Sequence, residues 1–139
     1  MITAVDTNVI LDIAVDDPVH ASSSERLLVR ALESGALVIS EVAYAELAPQ
    51  YDSREALDIA LGGLEIRIAE SGGDIAWLAG RKWKEYRDAG GTRQRLLADF
   101  LIGAHAMLRA DCLLTRDRGF FATYFPELRI FEAKERTQP

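Results

Sequence analysis

The sequence predicts an α/β domain with a central, mainly parallel, twisted β-sheet flanked by α-helices. Three observations carry that expectation. Short apolar runs at 2–5, 36–39, 64–68 and 112–115 alternate with longer segments of helical periodicity, the pattern of strand–helix units around a parallel sheet. The 139 residues contain no internal repeat, low-complexity tract or Pro/Ser-rich linker, so a single domain over 1–134 with a polar tail at 135–139 accounts for the chain. Acidic residues also stand directly beyond or inside several apolar elements. Open parallel sheets place their sites there, outside the carboxyl ends of the strands.

Each element has a local reason. Residues 2–5 read as a buried strand, after which Asp6, Thr7 or Asn8 can cap a short helix through Leu11 and Ile13, ended by Asp12, Asp16, Asp17 and Pro18. A helix over about 22–33 turns Leu27, Leu28, Ala31 and Leu32 inward and stops at Gly35. Residues 36–39 form a second strand. Ser40 is positioned to cap the helix bearing Glu46, which Pro49 ends. Asp52 with Glu55 has the spacing of a capping box for a helix stopping at Gly62 and Gly63. Residues 64–68 alternate as a strand, and Asp74 opens a long helix to Asp88, broken by Gly90 and Gly91. The most apolar helix spans 96–109. Strands at 112–115 and 129–131 complete the series.

Composition sets the class. About half the residues are hydrophobic and about a quarter charged, which is ordinary globular usage. No apolar run approaches the roughly 18 residues of a membrane span, and the N-terminus lacks the basic and apolar regions of a signal peptide. The expectation is a soluble cytoplasmic protein with no membrane partner. The single cysteine, Cys112, has no internal disulfide partner and reads as a small core hydrophobe. The net charge of −6 argues against a nucleic-acid partner, but its distribution softens that argument. The stretch 81–95 carries Arg81, Lys82, Lys84, Arg87, Arg93 and Arg95 against Glu85 and Asp88, enough to meet a phosphate backbone or to form a solvated helix face.

Four carboxylates, Asp6, Glu46, Asp99 and Asp117, follow or interrupt apolar elements. A buried carboxylate needs a hydrogen bond, a cation or a proton. Like charges ~4 Å apart repel by ~4 kcal/mol at an effective dielectric near 20. A hard divalent cation with oxygen ligands removes that repulsion, so the constellation reads as a metal site. Asp99 has Gly103 and Ala106 at i+4 and i+7, small residues that permit a close approach. Glu46 shares a helix side with Val42 and is expected to face inward. Asn8 and Thr115 can orient a carboxylate or a bound water. Arg116 and Arg118 flank Asp117 as candidate phosphate contacts, as do Arg93 and Arg95. His20 and His105 form no pair, and no spacing supports a Ser-His-Asp triad. Trp77, Trp83 and Tyr86 read as packing residues rather than a base-stacking platform.

These segments, VDTNVILD, SEVAYAELAP, LADFLIGAHA and LLTRDRGFF in that order, resemble the PIN-domain ribonucleases, and in particular VapC-type toxins of prokaryotic toxin–antitoxin pairs. The resemblance runs from residue 2 to about 125; the middle, 49–90, carries no family-specific motif. It implies a PIN-like fold and places the family's acidic residues on Asp6, Glu46, Asp99 and Asp117, with auxiliary polar positions on Asn8 and Thr115. It further implies Mg2+- or Mn2+-dependent endonucleolytic cleavage of RNA by a homodimer silenced by a cognate antitoxin. Two other classes stand beside this one. A catalytically silent PIN-like module would bind RNA or protein without cutting. A receiver-like phospho-acceptor domain also gathers acids and a Thr at strand ends, but it wants a Lys after a late strand, and none closely follows Thr115.

Overall fold

The computed structural model describes residues 1–92 and 96–132. Four short strands form one sheet: β1 (Ile2–Val5), β2 (Ala36–Ile39), β3 (Ile66–Ile68) and β4 (Cys112–Leu114). Their order is β3-β2-β1-β4 and every pairing is parallel. The stretch expected as a final strand, 129–131, bridges Leu113 through Ile130, also in parallel. It exchanges two backbone hydrogen bonds with Leu113 of 2.9 and 2.8 Å.

β1, β2 and β4 are largely buried on both faces, which is why they read as continuous apolar runs, whereas the edge strand β3 exposes Arg67 and Ile68 and reads as alternating. Alternation survives in where successive side chains go. Ala4, Val38 and Leu113 join one core cluster with Ile75, Ala79, Phe100, Phe121 and Phe125. Their neighbours Val5, Leu37, Ile39, Cys112 and Leu114 join the other, with Val9, Leu28, Leu47 and Leu57. The first layer holds α5 (Gly73–Asp88), α6 (Leu97–Arg109) and α7 (Arg118–Tyr124); the second holds α1 (Thr7–Ala14), α2 (Ala21–Ser34), α3 (Glu41–Leu47) and α4 (Arg54–Gly63). Cys112 is buried and free, as its sequence context indicated.

Most boundaries fall where the sequence put them. Gly35 ends α2 at φ +150°, and a Cβ there would overlap the Met1 carbonyl oxygen, so close chain approach reinforces the helix stop. Ser40 caps α3 by accepting from the Ala43 N–H at 3.1 Å, and a 3-10 turn containing Pro49 (Ala48–Gln50) follows. Three expectations shift. The cap of α4 is Ser53, which accepts from the Ala56 N–H, and not Asp52. Glu65, at φ +56°, completes the exit from α4, so β3 begins at Ile66 rather than Leu64. Helix α7 is an element with no counterpart among the expected ones; its Phe120 and Phe121 are buried in the aromatic layer against Phe100, Tyr124 and Phe125. Among the described residues, no helix is long and apolar enough to cross a membrane.

Candidate active site

The site grows from the end of β1. Asp6 continues the ladder by donating its N–H to the Leu114 carbonyl at 2.9 Å, then occupies the N-cap position of α1 without making a side-chain capping bond. Its carboxylate serves another purpose. Thr115, the residue after β4, donates its hydroxyl to Asp6 Oδ2 at 2.7 Å, and Asn8 donates its amide to the same oxygen at 3.2 Å. The Thr115 oxygen also accepts from the Asp117 N–H at 2.9 Å. One buried hydroxyl thus links Asp6 to the loop bearing Asp117. Asp117 stands at the N-cap position of α7, half-buried, and makes no side-chain capping bond.

Glu46 arrives from α3. The buried stripe of that helix is Ala43 and Leu47, so Glu46 lies exposed at the rim instead of facing inward. Thr7, one residue after Asp6, donates its hydroxyl to Glu46 Oε1 at 2.8 Å. Asp99 sits half-buried in the first turn of α6 and accepts from the Leu96 N–H at 3.2 Å. The small face beyond it permits the close approach expected of it, by another element: a Cβ on Gly103 would lie 2.6 Å from the Phe125 ring.

Asp6 is 7% exposed, and its pKa is pushed from the ordinary 3.8 up to about 6. Burial is the largest cause. Hydrogen bonds from Thr115 and the Thr7 backbone oppose it, and the charges of Asp99 and Glu46 add to it. Three acids from three elements therefore share one field, with Asp117 joined to them through Thr115. Among the described residues, no Lys or Arg pairs with Asp6 or Glu46, and no three His, Cys, Asp or Glu side chains form a cluster that could hold a metal ion. The donors are nonetheless hard oxygens under mutual repulsion. Mg2+ is commonly held by one or two carboxylates together with waters and substrate phosphate, which does not require three carboxylates to converge. The donor set fits such a cation.

The arginines divide. Arg116 is already engaged within the chain: its guanidinium forks onto Asp12, and its backbone N–H reaches Asn8 Oδ1 at 3.3 Å. Asp12, read as a helix-ending residue, is buried within α1 and also accepts from Ser24 Oγ at 2.6 Å. Arg118 donates to the Phe131 carbonyl at 3.1 Å and lies 4.0 Å from Glu132. Arg93 and Arg95 lie outside the described residues. On α5, Lys82 reaches Glu127 and Lys84 reaches Asp88, so part of the basic run is satisfied within the chain. His105 is buried, with Nε2 2.7 Å from the Ala69 carbonyl oxygen, away from the acids. Asp12 and Ser24 are the residues that sequence reasoning missed. Arg116 beside Asp117 was the only available hint, and nothing in sequence pointed it toward residue 12.

A parallel α/β sheet with carboxylates gathered beyond the ends of β1 and β4 defines a class, and comparison with known proteins names it. The PIN domain family model matches residues 3–126, and the chain belongs to that family. Its structure is similar to VapBC2 from Rickettsia felis, solved bound to a DNA fragment from their promoter (21% identity, TM-score 0.70, covering 94% of this chain and 98% of that one). It is also similar to VapBC-1 from nontypeable Haemophilus influenzae (21% identity, TM-score 0.69, 95% and 98%). A toxin–antitoxin complex from Klebsiella pneumoniae matches at 25% identity and TM-score 0.60 over 86% of this chain and 90% of that one. No curated protein sequence matches the chain.

Proposed function

We propose that this PIN domain is a Mg2+- or Mn2+-dependent endoribonuclease, the VapC-type toxin of a toxin–antitoxin pair. The observation that carries the reading is the buried Asp6, hydrogen-bonded to Thr115 and Asn8, within the field of Asp99 and Glu46. Asp6, Asp99 and Asp117 would hold the cation, directly or through water, with Glu46 completing the set. The cation would supply Lewis acidity toward the phosphodiester and neutralise charge developing on its oxygens. The chain's own residues do the positioning. Thr115 and Asn8 fix the Asp6 carboxylate, and Thr115 also sets the Asp117 backbone. Thr7 engages one oxygen of Glu46, leaving the other to orient the attacking water. The structural relatives described as VapBC and toxin–antitoxin complexes support a cognate antitoxin as partner; a homodimer in the cytoplasm completes the proposal.

The test is incubation of the purified protein, freed of bound partner, with a mixed RNA pool in Mn2+ or Mg2+. Cleavage should disappear with EDTA and in Asp99→Asn. Full activity retained in folded Asp99→Asn would sink the assignment.

A further inference from the structure

Beside the first turn of α6 lies a cavity of about 320 Å³, lined by Trp83, Tyr86 and Arg87 of α5, by Gly91 and Thr92, and by Leu96 and Leu97. Its size falls at the lower end of small-ligand pockets, roughly 300–1,000 Å³. Its floor is fixed. The Tyr86 hydroxyl donates to the Thr92 carbonyl at 2.5 Å, and the Gly91 N–H donates to the Tyr86 carbonyl at 2.8 Å. A Cβ at residue 91 would lie 2.6 Å from the Tyr86 ring, so the turn is held against the aromatic. Core packing accounts for Tyr86, which is 7% exposed, and for part of Trp83, which packs half-buried against the same cluster, but not for the exposed remainder of the lining. Leu96 and Leu97 are 66% and 40% exposed, and Arg87 is exposed with its guanidinium 5.3 Å from the centre of the Trp83 ring.

We propose that this cavity is a stacking subsite for one nucleobase of the RNA strand, adjacent to the phosphodiester being cut. The inference rests on the ribonuclease reading and deepens it. Three features select a base. An indole and a planar guanidinium are the groups on which unpaired bases stack. The exposed leucines offer apolar walls to a flat ring. The cavity also adjoins the acidic site: Leu96, one of its walls, donates its N–H to Asp99 Oδ2 at 3.2 Å. A nucleotide seated there has its phosphate on the Asp99 side. Arg87, exposed beside it, is a cation positioned to meet the nucleotide's phosphate. Stacking tolerates any base, so the subsite selects unpaired strands over duplex and leaves sequence choice to other contacts.

The experiment uses an Asp117→Asn, Trp77→Phe background with Mg2+ present. The strand then stays intact, and Trp83 is the sole indole. Short single-stranded RNA is titrated against an abasic strand of the same length while Trp83 fluorescence is followed. RNA should quench the indole and the abasic strand should not. Trp83→Ala should weaken RNA binding roughly 5- to 150-fold, the equivalent of ~1–3 kcal/mol for one stacked base. Trp83→Phe should stay within about threefold, since a phenyl ring still stacks. With Asp117 restored, Trp83→Ala should raise KM by a similar factor and leave kcat nearly unchanged. If Trp83→Ala does not fold, Arg87→Ala, on an exposed side chain, should show the same direction. Equal RNA binding and cleavage by wild type and both variants, or equal binding of the abasic strand, overturns the subsite alone. Quenching by a protein partner but not by RNA overturns it in favour of a protein-docking pocket. A wild type that neither binds nor cuts RNA overturns the ribonuclease reading and the subsite together.

Discussion

Arg116 grips Asp12 with both arms of its guanidinium, Nε 2.6 Å from Oδ2 and Nη2 3.0 Å from Oδ1, across a sequence separation of 104 residues. The carboxylate side of the pair is 4% exposed and the guanidinium 37%. The pair clamps the loop carrying Thr115 and Asp117 against α1, the helix that opens at Asp6. Removing the cation leaves a buried carboxylate without its partner. Arg116→Ala should cost about 3 kcal/mol, the low end for a broken buried pair because the arginine is partly solvated. Urea denaturation measures this, and a cost under 0.5 kcal/mol would show that the clamp contributes little.

Asp6 makes stability depend on pH in the unusual direction. Its folded pKa, about 6, lies above the ordinary 3.8 chiefly because of burial. Below pH 4 the group is protonated in both states and costs nothing. As pH rises from 4 through 6 the unfolded chain ionises first, and stability is lost, up to about 3 kcal/mol above pH 6. Asp6→Asn should therefore match wild type near pH 4 and exceed it increasingly up to pH 7, in melting curves recorded without divalent cation. A constant difference across that range would contradict the assigned cause.

Divalent cation should reverse that loss. At ten times its dissociation constant, Mg2+ or Mn2+ should stabilise wild type by about 1.4 kcal/mol at pH 7.5. The increment should vanish in Asp6→Asn and shrink below pH 6, where Asp6 holds its own proton. Differential scanning calorimetry with and without cation reads this directly. An equal increment in both proteins would place the ion elsewhere.

Gly103→Ala isolates packing from chemistry. The new methyl would press on the Phe125 ring, which is fully buried. Overpacking of this kind costs ~1–3 kcal/mol and outweighs the gain in helix propensity. The variant should lose stability yet retain cleavage at temperatures where it is folded. Loss of activity without loss of stability would return Gly103 to the site.

The sheet was legible because β1, β2 and β4 are largely buried on both faces and so appear as uninterrupted apolar runs, and because β3 at the edge alternates. The positions of Asp6, Asp99 and Asp117 were legible for the same reason: each follows or begins an apolar element where a charge has no packing role. What escaped depends on distant partners. Asp12 looks like one of three acids closing a helix until Arg116 is brought to it. Trp77 was expected to pack, yet it is 71% exposed with Arg81 5.8 Å from its ring. Helix α7 escaped because seven residues after an Asp and containing a Gly carry too little periodicity to outweigh turn chemistry. Glu46 was expected inward because Val42 precedes it by one turn, but Ala43 and Leu47 define the side of α3 that meets the sheet.

The Thr115–Asp6 hydrogen bond spans 109 residues, and β1 lies between β2 and β4. Strand order therefore imposes an order in time. During synthesis β1 precedes the other strands, but one of its edges and the carboxylate beyond it wait for Cys112–Thr115 to clear the ribosome. A nascent chain has no assembled centre until Thr115 has been made. On the ribonuclease reading proposed above, such a chain would be inert toward the RNA being translated beside it, and its activity would begin only once a restraining partner could meet a finished domain.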